Sequence, residues 1–429
     1  MRRLLMISPH FPPDSSAATH RVRLLAPHLA ACGWEPIILT VRPDAYEGRP
    51  DPALEALVPA SLRVVRVPAW PAGITRLARI GDLGLRSWTA LRRGAIDLCE
   101  REQVDAVFIT IYPTYPATLG PMLKRRFGVP FILDYQDPWV SAWGHHVGPG
   151  GTPDLKSRIT LALSQQLEPR VLRAADAVTA VSARTYEAAL QRNGCTVRVQ
   201  EEIPIGWDPA DARAIEGRAP SPMVPANDGL IHISYVGTVL PAGVEVLRSV
   251  LTALRALDAR CPEVSGRVRL HFVGTSNQST GGAERVMPHA RQLGVADRVV
   301  EHPARVDYLE ALSILRQSAA VLLMGSTEPH YTPSKAFPAM TAGRPMLALY
   351  HEASPIVPIL KAASPCSEIV AYAPTDLTTA PFAERVVTAL QNVASSHVHD
   401  VPVNTRVLEP WSARMLARRL AAVCDEVAA

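Results

Sequence analysis

The chain has 429 residues, 48% of them hydrophobic and 20% charged, with a formal net charge of +4. Such a chain is long enough for two domains with a core in each, and its composition excludes disordered and collagen-like classes. The small net charge gives no case for nucleic acid, and six scattered cysteines without CxxC spacing give none for a zinc site or a disulfide framework. A reducing cytoplasm fits best.

MRRLLMIS at the N-terminus is basic then apolar, as in a signal peptide. Its apolar part ends at Pro9 after about five residues, too short for the usual h-region, so it reads as a first strand. A loop to Ala18, a helix to about Ala31 and Gly33 lead to the strand EPIILTV. Residues 1–126 carry 17 Lys and Arg against 11 Asp and Glu. Much of that surplus lies in 76–96, where Arg76, Arg79, Arg86, Arg92 and Arg93 alternate with Leu77, Ile80, Leu83, Leu85, Trp88 and Leu91. A basic amphipathic helix of this kind suits an anionic membrane surface; the alternative is an ordinary surface helix with its apolar side on the core. DAVFITIYP and PFILDYQDPW read as further strands around a helix at 117–127. A helix near 157–173 and the strand ADAVTAVS follow.

IPIGWDPADARAIEGRAPSPMVPANDG is rich in Pro, Gly and Ala without an apolar period, and reads as a linker. The expected organisation is a first domain 1–206, a linker 207–228, a second domain 229–410 and a C-terminal helix 411–429 packing back toward the first. The second half runs HISYVGTV, a helix near 244–259, RLHFVGT, a helix near 281–293, and RVVEHPA. Strands alternating with helices on both sides of the linker predict two parallel, doubly wound sheets facing one another, with ligands held in the cleft at the carboxyl ends of the strands. No run of about 18 apolar residues occurs, so no spanning helix is expected.

Residues 318–349 are the most informative stretch. Ser318–Gly325 is a short buried strand, STEPHYTPSK a polar loop, AFPAMTAG a helix ending at Gly343, and RPMLALY another strand. With Ser334 as N-cap, the amides of Lys335, Ala336 and Phe337 point into the loop beside a lysine, a place to hold a phosphate. The bland reading of Lys335 is a solvated surface side chain. Asp137, at the carboxyl end of a buried strand, is a candidate to touch substrate hydroxyls or act as a base; an Asp-Pro turn cap is the alternative. His20 and Arg21, at the first helix, are candidates to meet an anionic acceptor. His145 and His146, adjacent in a Gly-rich loop, read as loop residues.

YTPSKAFPAMTAGRPMLAL resembles the donor-sugar motif of family 4 glycosyltransferases of the GT-B fold, in the version PSK-x-F-E-Y-x-x-x-G-R-P. The family glutamate that grips the ribose falls at Pro338, and the earlier acid of its pair at His330, with Glu328 nearby but out of register. FPPDSSAATHRVRLLAPHLAACGWEPIILTV is similar to the family's opening, with Ser15, Ser16 and Ala17 where a glycine pair is usual. ADAVTAVS, IPIGWD and YVGTV resemble its last N-domain strand, its passage to the linker and the glycine turn of its nucleotide domain.

The resemblance implies two Rossmann-like domains and a donor site of Gly237, Thr238, Arg305, Val306, Ser334, Lys335 and Ala336, with Glu328 the nearest candidate to replace the missing acid. Arg305 and Val306 stand where the family contacts the base. The usual phosphate arginine after the glycine turn has no match, Arg248 being too far along. Gln136 takes the place of a histidine over the sugar, with Asp137 beside it as a catalytic candidate. Ser15, Ser16, His20 and Arg21 form the acceptor side. The activity implied is transfer from a nucleotide sugar to a glycan, glycolipid or polysaccharide precursor, with retention, without metal or other cofactor, at the cytoplasmic membrane face. Two alternatives stay open: a non-catalytic scaffold or sugar-nucleotide binder, and a sugar-nucleotide epimerase of the same fold.

Overall fold

The computed structural model describes all residues except 78–80, 141–154, 277, 279–280, 328–334 and 397–399, with backbone alone at 76–77 and 155–156. The chain divides into two compact units, Met1–Gly206 with Ala413–Ala429, and Trp207–Ser412.

The first unit holds seven strands: β1 Arg2–Ile7, β2 Trp34–Val41, β3 Arg63–Val67, β4 Ala106–Ile111, β5 Phe131–Tyr135, β6 Ala177–Ala180 and β7 Val199–Glu202. They pair in parallel in the order β3-β2-β1-β4-β5-β6-β7. Successive side chains of a strand point to opposite faces, so a strand covered on both faces must be apolar throughout. β1 shows this directly. Leu5 and Ile7 pack with Leu91, Ala95 and Leu98 of the helix Leu83–Arg101. Leu4 and Met6 pack with Val22, Leu25 and Leu29 of the helix Thr19–Leu29. Leu416, Leu420 and Cys424 of the helix Ala413–Val427 join that second cluster, and Trp34 Nε1 donates to Asp425 at 3.1 Å.

The helix Leu83–Arg101 corrects part of the lipid-facing expectation. Arg86 is buried and donates to the carbonyls of Trp70 and Ala45 and to Glu47. Trp88 Nε1 donates to Thr118. Only Arg92 and Arg93, among the three arginines 86, 92 and 93, reach the surface.

The second unit holds β8 Ile231–Val236, β9 Val268–Val273, β10 Val299–His302, β11 Ala320–Met324, β12 Met346–His351 and β13 Glu368–Tyr372. These are parallel in the order β10-β9-β8-β11-β12-β13. Leu322, Leu347 and Leu349 face the helices Val244–Arg260 and Ala380–Ser395, while Val321, Leu323 and Ala348 face the helices Ala336–Thr341 and Ile356–Ala363. Trp207 sits in that latter cluster and donates to the Leu408 carbonyl at 2.9 Å. Within 207–228 a short helix, Pro209–Ala214, forms because Asp208 caps it ahead of Pro209. The helix expected near 281–293 is confined to Met287–Gln292, because the Glu301 carboxylate takes the amides of Arg285, Val286 and Met287 and fixes its start.

A chain of buried histidines gives this unit a pH-dependent stability. Nε2 of His232 lies 3.1 Å from each Asp228 carboxylate oxygen, and its Nδ1 lies 2.8 Å from Nε2 of His271. Nδ1 of His271 is buried without a partner among the described residues. Burial, then the neighbouring charges of His232 and His302, push the His271 pKa from 6.5 down to about 4. The unfolded chain therefore binds the extra proton between these values. Stability should be complete above about pH 6.5 and fall by about 3 kcal/mol toward pH 4. Urea titrations across that range check this, and His271→Gln should flatten the slope.

Candidate functional site

In a doubly wound sheet the ligand crevice lies where strand order reverses, at the carboxyl ends of the two central strands. In the second unit these are β8 and β11. Past β8 the backbone turns at Gly237, whose φ of +143° suits glycine alone. A Cβ there would overlap the Lys335 ammonium, so the missing side chain is the space the lysine occupies. Nζ also stands 5.5 Å from the centre of the Tyr235 ring. Tyr235 in turn donates to the Thr238 carbonyl at 2.9 Å, fixing the turn beneath the lysine.

This corrects the solvated reading of Lys335. The residue is partly buried, and burial followed by the charge of Arg305 lowers its pKa from 10.5 to about 8. Lys335 therefore feels the like charge of Arg305 where water is scarce, a repulsion that an anion relieves. Lys335 precedes the helix Ala336–Thr341 with helical φ and ψ of −76° and −18° and makes no cap bond of its own. Ala336 is buried in the core below. The helix ends at Ala342 ahead of Gly343, whose φ is +68°. Ser334, Glu328 and His330 lie outside the described residues, as do His145 and His146.

Arg305 donates its amide to the Gln278 carbonyl at 3.1 Å, and Val306 packs with Val224, Val273 and Ile314. The structure thus brings Gly237 and Lys335 into contact, with Thr238 on the same turn and Arg305 near enough for its charge to act on the lysine. Sequence reasoning missed Tyr235, although its place two residues before Gly237 was a usable signal. Pro338 lies elsewhere on the helix, lining a small pocket with Trp207, Asp208, Asp211 and Tyr308. Tyr308 donates to Asp211 at 2.7 Å.

In the first unit the expected acceptor residues separate. Arg21 is buried, not presented to an acceptor. Its guanidinium makes two bonds to Asp134, at 2.9 and 2.5 Å, and donates to the Ile203 carbonyl. His20 Nδ1 is taken by Arg23 at 3.3 Å. Ser15 donates to the Arg49 carbonyl at 3.1 Å. Ser16 donates to Asp14 at 2.5 Å and lies 3.2 Å from His10 Nδ1. Past β5, Nε2 of Gln136 is buried without a partner among the described residues. Asp137 is exposed as a residue, yet desolvation by the surrounding chain raises its carboxyl pKa. Among the described residues no group of three His, Cys, Asp or Glu is gathered to hold a metal ion, and no helix is long and apolar enough to cross a membrane.

Two parallel-sheet α/β units of seven and six strands make this a GT-B fold. Residues 16–206, all within the first unit, match the family model described as a glycosyl transferase 4-like domain. Three solved structures are similar over nearly their full length. α,α-Trehalose 6-phosphate synthase from Burkholderia multivorans has a TM-score of 0.59 at 15% identity, covering 100% of this chain and 97% of that one. HepE from Anabaena, solved with UDP and glucose, has 0.54 at 13%, covering 99% and 100%. A glycosyltransferase from Rickettsia africae has 0.55 at 13%, covering 99% and 98%. At such identities these likenesses establish the fold. No curated protein matches the sequence.

Proposed function

We propose that the protein transfers a sugar from a nucleotide-sugar donor to a glycan, glycolipid or polysaccharide-precursor acceptor, with the retention and metal independence that the family resemblance implies. The observation that carries this reading is the Lys335 ammonium packed on the bare face of Gly237, where the charge of Arg305 also acts on it. Breaking the C1–O bond places negative charge on the departing diphosphate, and fixed cations in a poorly hydrated pocket stabilise that charge more than the ground state. HepE, with the same fold, holds UDP and glucose in its structure, which supports a donor of this class. The test is release of nucleoside diphosphate from UDP-, GDP-, dTDP- and ADP-sugars. The reading expects turnover of at least one, and binding without turnover of any would favour the scaffold alternative.

Pro338 favours that alternative more than any other residue does. A proline in the first turn costs the helix little, so the backbone shape survives. The acid that would accept two ribose hydrogen bonds is missing, and a glutamate restored there would stand beside Asp208 and Asp211. Glu328 is the nearest acid to Pro338 in sequence. Glu328→Gln should weaken sugar-nucleotide binding by about 1–3 kcal/mol and leave the sugar phosphate, which lacks ribose, nearly unaffected. Calorimetry with both ligands decides: equal losses, or none, exclude a ribose role.

Work at a membrane face is part of the same proposal. Trp70, Ile74 and Leu85 are exposed at 61%, 62% and 38%, in the same unit as the exposed Arg92 and Arg93. Each basic residue near an anionic surface contributes about 1 kcal/mol. Arg92→Glu with Arg93→Glu should therefore release the protein from phosphatidylserine vesicles in sedimentation, and unchanged sedimentation would return the helix to an ordinary surface role.

A further inference from the structure

The crevice end of the first sheet, where β1 and β4 lie side by side at the reversal of strand order, carries a side-chain pair that the donor site does not use. Past β1 the chain reads Ser8, Pro9, His10, and past β4 it reads Tyr112. Nδ1 of His10 lies 2.7 Å from Oδ2 of Asp14. The same carboxylate oxygen accepts from Ser16 at 2.5 Å and Thr19 at 3.0 Å. Burial works against the Asp14 charge, but these bonds and the nearness of His10 outweigh it and hold its pKa below the ordinary value. An ionised Asp14 takes the Nδ1 proton, and that choice of tautomer leaves the lone pair on Nε2.

The loop that carries the pair is held from several sides. Tyr46 donates to the Pro9 carbonyl at 3.1 Å, Arg66 to that of Pro12 at 2.8 Å, and the Asp51 amide to that of Pro13 at 2.7 Å. The imidazole lies between two tyrosine rings, with its centre 6.2 Å from Tyr46 and 5.7 Å from Tyr112. Tyr112 is 45% exposed, so the ring pair opens outward. No bond to His10 Nε2 is recorded among the described residues. Asp82, which caps the helix Leu83–Arg101 through Leu85, is a second carboxylate in the neighbourhood of His10.

A histidine whose Nδ1 is held by Asp14, whose other ring nitrogen has no bond among the described residues, and which has an exposed aromatic beside it suits a hydroxylated ring: the nitrogen takes an O–H and the tyrosine offers an apolar face with a polar tip. We propose that His10, positioned by Asp14, is the hydroxyl-binding residue of the acceptor subsite, with Nε2 accepting a hydrogen bond from the acceptor's nucleophilic hydroxyl beside Tyr112. This rests on the transferase reading, because it assigns the acceptor of that reaction. Asp14 acts through His10 and is a positioning residue.

The test uses the full chain, whichever of UDP-, GDP-, dTDP- or ADP-glucose is turned over, and octyl β-glucoside as acceptor probe. His10→Phe keeps the ring between Tyr46 and Tyr112 and removes both nitrogens. Transfer to the glucoside should fall about 100-fold, as expected when a reacting hydroxyl loses its alignment. Nucleoside diphosphate affinity and melting temperature should stay at parental values, and free imidazole should restore part of the activity of His10→Gly. An active His10→Phe at the parental rate would overturn the proposal alone. A parallel loss of nucleotide affinity would also overturn it, since the residue would then serve the fold. A parent that binds donor and turns none over would remove the transferase reading and this proposal with it.

Discussion

Arg21→Ala should destabilise the first unit by about 3–5 kcal/mol. Its guanidinium is 1% exposed and doubly bonded to Asp134, which is fully buried and also accepts from Thr179 at 2.6 Å. Removing the cation leaves a fully buried carboxylate near the carboxyl end of β5 without its counter-charge. Breaking one partner of such a pair costs far more than replacing both. Urea unfolding should show the loss in Arg21→Ala and recover most of it in Arg21→Met with Asp134→Leu. If Arg21 served an acceptor, stability would hardly change and the KM for the acceptor would rise; that outcome would contradict the buried-pair account.

Lys335→Ala should weaken nucleoside diphosphate binding by about 1.5–3 kcal/mol, or roughly 10- to 150-fold, the range for a charge-assisted contact. The pKa near 8 adds a sign that a merely structural lysine would lack. A diphosphate favours the protonated form, so binding below that pKa meets an ammonium already charged, and binding above it must first recover a proton. Affinity should hold to about pH 8 and fall beyond it, with proton uptake visible in buffers of different ionisation enthalpy. Lys335→Arg should remove the decline. Gly237→Ala should resemble Lys335→Ala, because the added carbon takes the volume that the ammonium fills.

The parallel sheets were legible because their central strands are unbroken apolar runs, such as AVFITI of β4 and AVLLM of β11. The edge strands were not. RVVRV of β3 and VQEE of β7 carry charge because one side of an edge faces water, and they read as loop. The sequence also marked Lys335 and Gly237 but not their contact, because a glycine's missing side chain says nothing about which neighbour fills the gap. Arg21 and Arg86 misled for the opposite reason. Each looked like surface charge, and each is buried by partners distant in sequence, Asp134 for one and Glu47 for the other. His10 went unnoticed for want of a local cue: its meaning depends on Asp14 and on Tyr112, which only the parallel pairing of β1 with β4 brings alongside.

The central claim, that the turn at Gly237 and the ammonium of Lys335 hold a nucleotide-sugar diphosphate, is tested most directly by thermal unfolding against UDP-, GDP-, dTDP- and ADP-sugars, with Lys335→Ala in parallel. A ligand at 100 times its Kd adds about 2.7 kcal/mol to the native state, a rise of about 5 °C or more for units of this size. We expect one nucleotide series to give that shift in the parent and to lose most of it in Lys335→Ala. No shift with any of the four, or a shift that Lys335→Ala retains in full, would contradict the account.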